Sequence, residues 1–253
     1  MPRLEGTYPL TAQDIEDLRA HGHVLLRGVL SRDEMAVCRA FLRQYILAKE
    51  EILVGLSSEA IAAEFNLGDA PPAVADFITS PRLGEIAARL LGVEAVRVLH
   101  FCGLFKPAGG AETPWHQDLT FIPLDTEKLI SAWIPLTDFT SEMGDLTFAE
   151  GSHQQGIRLS PGDWQRFSLA QNGPMAAGDF SFHLGWTLHN AGGNASDRVR
   201  EAIGIGYYAD GARIQVKQQA PFMQNLRDLY FPGLAVGELA TGPMNPVVFR
   251  SAA

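Results

Sequence analysis

Between residues 93 and 210 the chain repeats one pattern: short runs of β-branched and aromatic residues, each closed by Gly, Pro, Asn or Asp. The runs are "AVRVLHFCGLFK", "KLISAWIPLTDF", "GDLTFAE", "DFSFHLGWTLH" and "REAIGIGYYAD". Strands this short, with no helical segment between them, suit antiparallel layers of the sandwich, barrel or jelly-roll kind and argue against βαβ units. Upstream the signals are helical. "TAQD" at 11–14 and "SRDE" at 31–34 each place an acid three residues after a hydroxyl cap, which predicts helix starts. The first helix offers Ile15 and Leu18 as apolar positions, the second Met35, Cys38, Phe41, Leu42 and Ile46. Between them "HVLLRGVL" predicts a short buried strand. "SSEAIAAEFNLGDAPPAV" predicts a helix and then a Gly/Pro-rich loop, and "SPRLGEIAARLLG" a helix capped by Ser80 and ended by Gly92. From about 211 onward apolar residues lie among prolines and glycines, which predicts irregular packing over one end of the sheet. The expectation is a single domain over 1–253, with a helical part at 1–92, a β-core at 93–210 and a covering segment at 211–253.

Charge removes several function classes. The net charge is −9, the pI is near 5.2, and no Lys/Arg cluster is present to neutralise phosphates. Nucleic acid and anionic membrane surfaces are therefore poor partners. No apolar run reaches the roughly 20 residues of a membrane-spanning helix. The opening "MPRLEGTYPLTAQD" lacks the apolar core of a secretory signal. A soluble cytoplasmic protein is expected, with the oligomeric state left open. Cys38 and Cys102 are too few for a disulfide framework and read as buried thiols.

One stretch carries chemistry. In "TPWHQDLTFIPLD", residues 113–125, His116 and Asp118 are two apart in a strand-like run and so project to one side, with Trp115 and Gln117 on the other. An imidazole and a carboxylate converging on one point are two-thirds of a facial triad for Fe(II). A histidine bonded to a nearby aspartate at a strand end gives the same spacing, and the pair alone leaves both readings open. A third ligand has to arrive from a distant strand. His189 is best placed, because "DFSFHLGWTLH" ends there at the turn "NAGGN", where a barrel mouth would lie. Parity then puts His183, Gly185, Thr187 and His189 on one face, a poor hydrophobic core and a suitable polar pocket. In "RVREAIGIGYY" the row Arg198, Arg200, Ala202, Gly204, Gly206 shares a face with space beside it, opposite Val199, Ile203, Ile205 and Tyr207. A buried guanidinium needs a carboxylate or phosphate partner. A ligand carboxylate would serve; so would Asp197 or Glu201 if the arginines stay at the surface.

Joined together, "WHQDLTFIPLD", "AWIPLTDFTSEMGDLTFAEGSH" and "GDFSFHLGWTLHNAGGNASDRVREA" resemble the phytanoyl-CoA dioxygenase family, and so does the opening "LRAHGHVLLRGVLSRDE". The resemblance implies a mainly β fold with N-terminal helices and a double-stranded β-helix (jelly-roll, cupin-like) core. It implies a dioxygenase that uses Fe(II), 2-oxoglutarate and O2 to oxidise a C–H bond, releasing succinate and CO2. On this resemblance His116, Asp118 and His189 are the iron ligands, Arg200 binds the distal carboxylate of 2-oxoglutarate, Trp133 lies beside that cosubstrate, and His183 supports the site. One departure stands out. Two residues after the last histidine, family members often carry a hydroxyl residue, and here it is Ala191. Thr187 or a backbone donor would then take that role.

The carboxylate at 118 argues against a halogenase, so the resemblance favours hydroxylation; epimerisation, desaturation and ring closure begin from the same hydrogen abstraction. The rival reading is a cupin-like metal-binding isomerase or binding module without O2 chemistry, which has no need of Arg200. A zinc hydrolase lacks an evident general base. Segments 50–80 and 211–250 are expected over the pocket mouth and offer Ile52, Leu53, Phe65, Phe222, Met223, Leu226, Tyr230 and Phe231. These point to a small, moderately apolar substrate of the secondary-metabolite kind; no basic cluster awaits an acyl-CoA.

Overall fold

The computed structural model describes residues 4, 6–48, 61–65, 67–215 and 221–252. Two antiparallel sheets face each other as a jelly roll. The larger runs β1 (His23–Leu26), β8 (Phe180–Leu184), β5 (Leu129–Pro135), β10 (Ala202–Ala209), β3 (Ala95–Phe105), β11 (Val247–Arg250), with β2 (Ile61–Phe65) sharing the outer edge of β3. The smaller runs β4 (Thr113–His116), β9 (His189–Ala191), β6 (Leu146–Ala149), β7 (Leu169–Gln171).

The N-terminal helices cover the outer face of the larger sheet. Helix α1 (Ala12–His21) has the expected capping box, Thr11 and Asp14 each bonding the other's backbone, and stops at Gly22 in the left-handed region. Helix α2 (Arg32–Ala48) is capped the same way by Ser31 and Glu34. A short helix, α3 (Pro72–Ile78), leads to α4 (Pro81–Leu91), which starts on the Ser80 cap with Pro at its first position and ends at left-handed Gly92. Their apolar stripes, among them Leu18, Leu42, Ile46 and Ile86, pack on Val98, Phe101, Ile134, Phe182, Ile203 and Tyr207 of the sheet. The opposite, inner face of that sheet meets the smaller sheet, and the space between them is the site.

Four expectations need correction. Residues 61–65, expected to be helical, form β2, pairing from Ile61 with Phe105 to Phe65 with Phe101; residues 57–60 of that helix lie outside the described residues. An open edge of β3 offers a row of backbone partners, and that pairing overrides local helix propensity. The run "DFSFHLGWTLH" is two strands in different sheets, β8 and β9, joined by a turn at Gly185–Trp186. The C-terminal segment is more regular than expected. Helix α5 (Pro221–Tyr230) and strand β11 both lie in it, and Tyr230 and Phe231 close one end of the roll with Leu119, Leu124 and Tyr208. Last, β1 is an edge strand with His23 and Leu25 half-buried, not a fully buried one.

Candidate active site

His116 ends β4 and His189 begins β9, directly opposite each other in the sheet register, with ring centroids 4.2 Å apart. The chain then leaves the strand: Gln117 is still extended, and Asp118 opens a 3-10 turn at Asp118–Thr120. Asp118 is therefore not a strand residue, but the alternation that aims it beside His116 survives through Gln117. Its Oδ1 is 3.5 Å from His116 Nε2 and 3.7 Å from His189 Nε2. One ligand atom from each residue fits within 4.8 Å of the other two.

Neighbouring contacts fix which atoms face the centre. His116 Nδ1 lies 2.8 Å from Pro114 O, and His189 Nδ1 lies 2.9 Å from Thr187 O. A carbonyl only accepts, so each ring carries its proton on Nδ1 and turns the Nε2 lone pair to the centre. Asp118 Oδ2 accepts a 2.5 Å bond from Ser131 and lies 3.1 Å from His183 Nε2, which leaves Oδ1 for a metal. Burial alone would raise the Asp118 pKa, but the His189, His116 and His183 rings around it hold it well below the usual carboxylate range. Burial, then repulsion from His116 and His183, keeps His189 neutral. For His116 burial works toward the neutral form, but the bond and charge of Asp118 prevail and raise its pKa. Two neutral-capable imidazoles and one carboxylate, with room for further ligands, are a donor set that suits Fe(II).

Buried polar anchors hold the ligands' backbone. The Gln117 amide donates to Trp186 O at 2.8 Å and accepts from Leu159 N at 2.7 Å, fixing the chain between two ligands. Ahead of His189, Leu188 N donates to Ser152 Oγ at 2.9 Å, and the Thr187 hydroxyl donates to Gly22 O at 2.7 Å. Thr187 thus faces the α1–β1 junction and not the cavity. Parity misplaced it because the chain turns at Gly185.

The cavity holds about 340 Å³. At one end Arg200 is buried, its Nη1 and Nη2 donating to Gly144 O at 3.1 Å and Leu104 O at 3.3 Å, while Nε has no partner among the described residues. Its guanidinium carbon lies 5.6 Å from the centre of the Trp133 ring, and Trp133 lines the same wall. Desolvation lowers the arginine's pKa to about 10, so it stays charged at neutral pH. Glu201 does not serve as its partner, because Arg39 and Arg43 hold that carboxylate at 2.7 and 2.8 Å on the outside. Arg198 is exposed. A Cβ on Gly204 would meet Cys102 Sγ at 2.7 Å, and one on Gly206 would meet the His100 ring at 2.9 Å, so both glycines leave room for side chains of β3 to enter the cavity. Phe121, Ile122, Leu226 and Tyr230 line its other end. Of the other residues expected at the mouth, Ile52, Leu53 and the side chains of Phe65, Phe222 and Met223 lie outside what the structure describes, and Phe231 packs into the apolar cluster behind.

His116, Asp118, His183, His189, Trp133 and Arg200 thus come together around one cavity, and Thr187 does not. Ser131, Gln117, Lys106, His100 and Cys102 also belong to the site or its supports, although none is among the site residues expected from the sequence. Ser131 had a signal: it is the lone polar residue of "LISAWIP" and sits two before Trp133, hence on its face. Lys106 had none.

The model of the family described as Phytanoyl-CoA dioxygenase (PhyH) matches residues 18–202. Ectoine dioxygenase of Bordetella parapertussis is 27% identical over 173 residues, 63% of this chain and 56% of that protein. A probable alpha-ketoglutarate-dependent hypophosphite dioxygenase of Stutzerimonas stutzeri is 26% identical, over 55% of this chain and 54% of its own. The chain therefore spans little more than half the length of these curated relatives. Among solved structures, the non-heme alpha-ketoglutarate-dependent carbocyclase SnoK from nogalamycin biosynthesis superposes with a TM-score of 0.81 at 26% identity, covering 96% of this chain and 99% of that one. The epimerase SnoN shares the fold, with a TM-score of 0.78 at 24% identity over 95% and 96% of the two chains. Matched by its family model over most of its length, the chain belongs to the phytanoyl-CoA dioxygenase family.

Proposed function

We propose that this protein is an Fe(II)- and 2-oxoglutarate-dependent dioxygenase acting, as one domain, on a C–H bond of a small, moderately apolar metabolite, with hydroxylation as the outcome. The observation that carries the reading is the pairing, in one cavity, of the His116–Asp118–His189 donor set with a buried arginine that has no acidic partner among the described residues. A cupin-like binding module needs the first and has no use for the second. Bound Fe(II), with 2-oxoglutarate and O2, supplies the oxidising power that removes a substrate hydrogen, with succinate and CO2 as co-products.

The chain's own residues do the rest. His116 Nε2, Asp118 Oδ1 and His189 Nε2 would hold the metal, and Ser131 and His183 orient the carboxylate. Arg200, beside the Trp133 ring, would hold the distal carboxylate of the cosubstrate. Phe121, Ile122, Leu226 and Tyr230 bind an apolar substrate surface and exclude water from the reacting bond. His100 and Cys102 add polar atoms to that wall.

One observation favours a second outcome, ring closure: the full-length match to a solved carbocyclase. The two outcomes differ in product mass, since hydroxylation adds one oxygen atom and ring closure removes two hydrogens. The test begins anaerobically, where Fe(II) plus 2-oxoglutarate should give a weak visible charge-transfer band. Succinate release is then screened against a metabolite panel in air. If neither band nor succinate forms, the oxygenase reading fails.

A further inference from the structure

His183 reaches the metal centre from β8, and the residue facing it on the next strand is another histidine. His23 of edge strand β1 lies directly opposite His183 in the register. The chain is pinned just upstream, where the Gly22 carbonyl accepts from Leu184 N at 2.9 Å and from the Thr187 hydroxyl at 2.7 Å. Directly opposed residues of an antiparallel pair hold their Cβ atoms about 5 Å apart on one face. Both rings also lie against Phe148 of β6, the His23 centroid at 4.2 Å and the His183 centroid at 5.7 Å. His23 itself is half-buried and does not line the cavity.

Proton placement makes the two rings a complementary pair. His183 Nε2 lies 3.1 Å from Asp118 Oδ2, and an ionised carboxylate only accepts, so Nε2 carries a proton. In the neutral ring Nδ1 is then a bare lone pair, and it is buried with no partner among the described residues. The same holds for His23 Nε2. Burial, followed by repulsion from His183, His21 and His153, keeps the His23 ring neutral at pH 7, so one of its nitrogens donates and the other accepts. Two orphaned nitrogens on facing residues, one able to accept and one able to donate, are suited to a single buried water between them.

We propose that His23 Nε2–H is the hydrogen-bond donor to His183 Nδ1, relayed by one buried water, and that this link holds the His183 ring against Asp118. The inference rests on the reading of His116, Asp118 and His189 as metal ligands. Ser131 and His183 together occupy Asp118 Oδ2, which leaves Oδ1 alone for the metal. A His183 ring that loses its hold releases Oδ2, and the carboxylate is then free to turn. His23 is thus a positioning residue, through which the first strand of the chain bears on the geometry of the metal centre.

The test is nitrogen NMR on protein with isotope-labelled histidine, loaded with Zn(II) as a diamagnetic stand-in for Fe(II), at pH 7.5. His23→Phe keeps a ring on Phe148 and removes the donor; His23→Gln keeps a donor. In the unaltered protein His183 Nδ1 should resonate as an unprotonated nitrogen that accepts a hydrogen bond. In His23→Phe it should move to the position of one that accepts none, and in His23→Gln it should return. Fe(II) affinity, from anaerobic competition with a chelator, should fall about fivefold in His23→Phe and recover in His23→Gln. That is less than the roughly 10- to 100-fold lost with a group bonded directly to a ligand. A crystal structure of the Zn(II)-loaded protein should show one water within hydrogen-bond reach of both nitrogens. The proposal is overturned by a protonated His183 Nδ1 in the unaltered protein, by an unmoved resonance or full Fe(II) affinity in His23→Phe, or by an apolar contact in place of the water. Equal losses in the Phe and Gln variants assign the effect to packing and overturn it too. If the unaltered protein binds neither metal, the reading of the triad itself is wrong.

Discussion

Strand β10 carries both halves of the molecule's design on its two faces. Outward it presents Ile203, Ile205 and Tyr207, all buried in the core under the helices. Inward it presents Ala202, Gly204 and Gly206, and the row continues past the strand start to Arg200. The outer face follows the hydrophobic effect without compromise: large side chains fill the space, each worth about 1.5–3 kcal/mol on burial. The inner face keeps space open and lines it with groups that cost energy to bury, including a guanidinium whose Nε has no partner among the described residues. Stability is concentrated on one side of the sheet and chemistry on the other, so substitutions on the two sides should fail in different ways.

The largest effect belongs to the inner side. Asp118→Ala should abolish Fe(II) binding and turnover, a loss of at least about a thousandfold in rate. It should leave the melting temperature close to that of the unaltered protein, because it also removes a buried charge. Metal content after dialysis and a thermal melt read the two effects separately; normal iron content would end the triad assignment. On the outer side Ile203→Ala should do the reverse. It should cost about 3 kcal/mol of stability through a cavity under the helices. Denaturant titration checks this, with activity at low temperature retained. Arg200→Met ranks next: the 2-oxoglutarate requirement should rise about a hundredfold, the scale of a lost bidentate pair, with the iron requirement little changed. Exposed Arg198→Ala is the matched control and should change neither.

The same two-sidedness explains what the sequence revealed. The outer face and the helix caps were readable because they follow local rules: a hydroxyl with an acid three residues on, or alternation along a strand. His116, Asp118, His189 and Arg200 stand out in the sequence because few residue types can hold a metal or an anion, and the family resemblance selects among them; the structure brings the four around one cavity. What escaped were features set by chain paths. Thr187 was placed by parity, but the turn at Gly185 redirects the chain and sends its hydroxyl to Gly22. Residues 61–65 have helix-forming composition and became a strand because β3 had an edge to pair. Lys106 resembles any strand-end lysine until the loop carrying Gly192 folds over it.

The smallest effect concerns a residue that belongs to neither side. His23 lies on edge strand β1 opposite His183 and stacks on Phe148, with centroids 4.2 Å apart and planes 7° from parallel. Its Nε2 is buried without a partner among the described residues. Burial, then repulsion from His183, His21 and His153, lowers its pKa to about 4, against a small opposing effect of Asp17. The unfolded chain takes up that proton near pH 6.5, whereas the folded protein resists until about pH 4. Between those values the unfolded state binds more protons, so the stabilisation is complete above pH 6.5 and is lost as the pH falls through this window. The loss between pH 7 and pH 5 should be on the order of 2 kcal/mol, reduced by whatever water reaches the half-buried ring. Replacing the imidazole by a ring that cannot titrate keeps the stack and removes the slope. His23→Phe should therefore match the unaltered protein at pH 7.5 and exceed it at pH 5 when both are unfolded in urea. Equal losses in the two proteins would assign the acid sensitivity to the metal-site histidines instead.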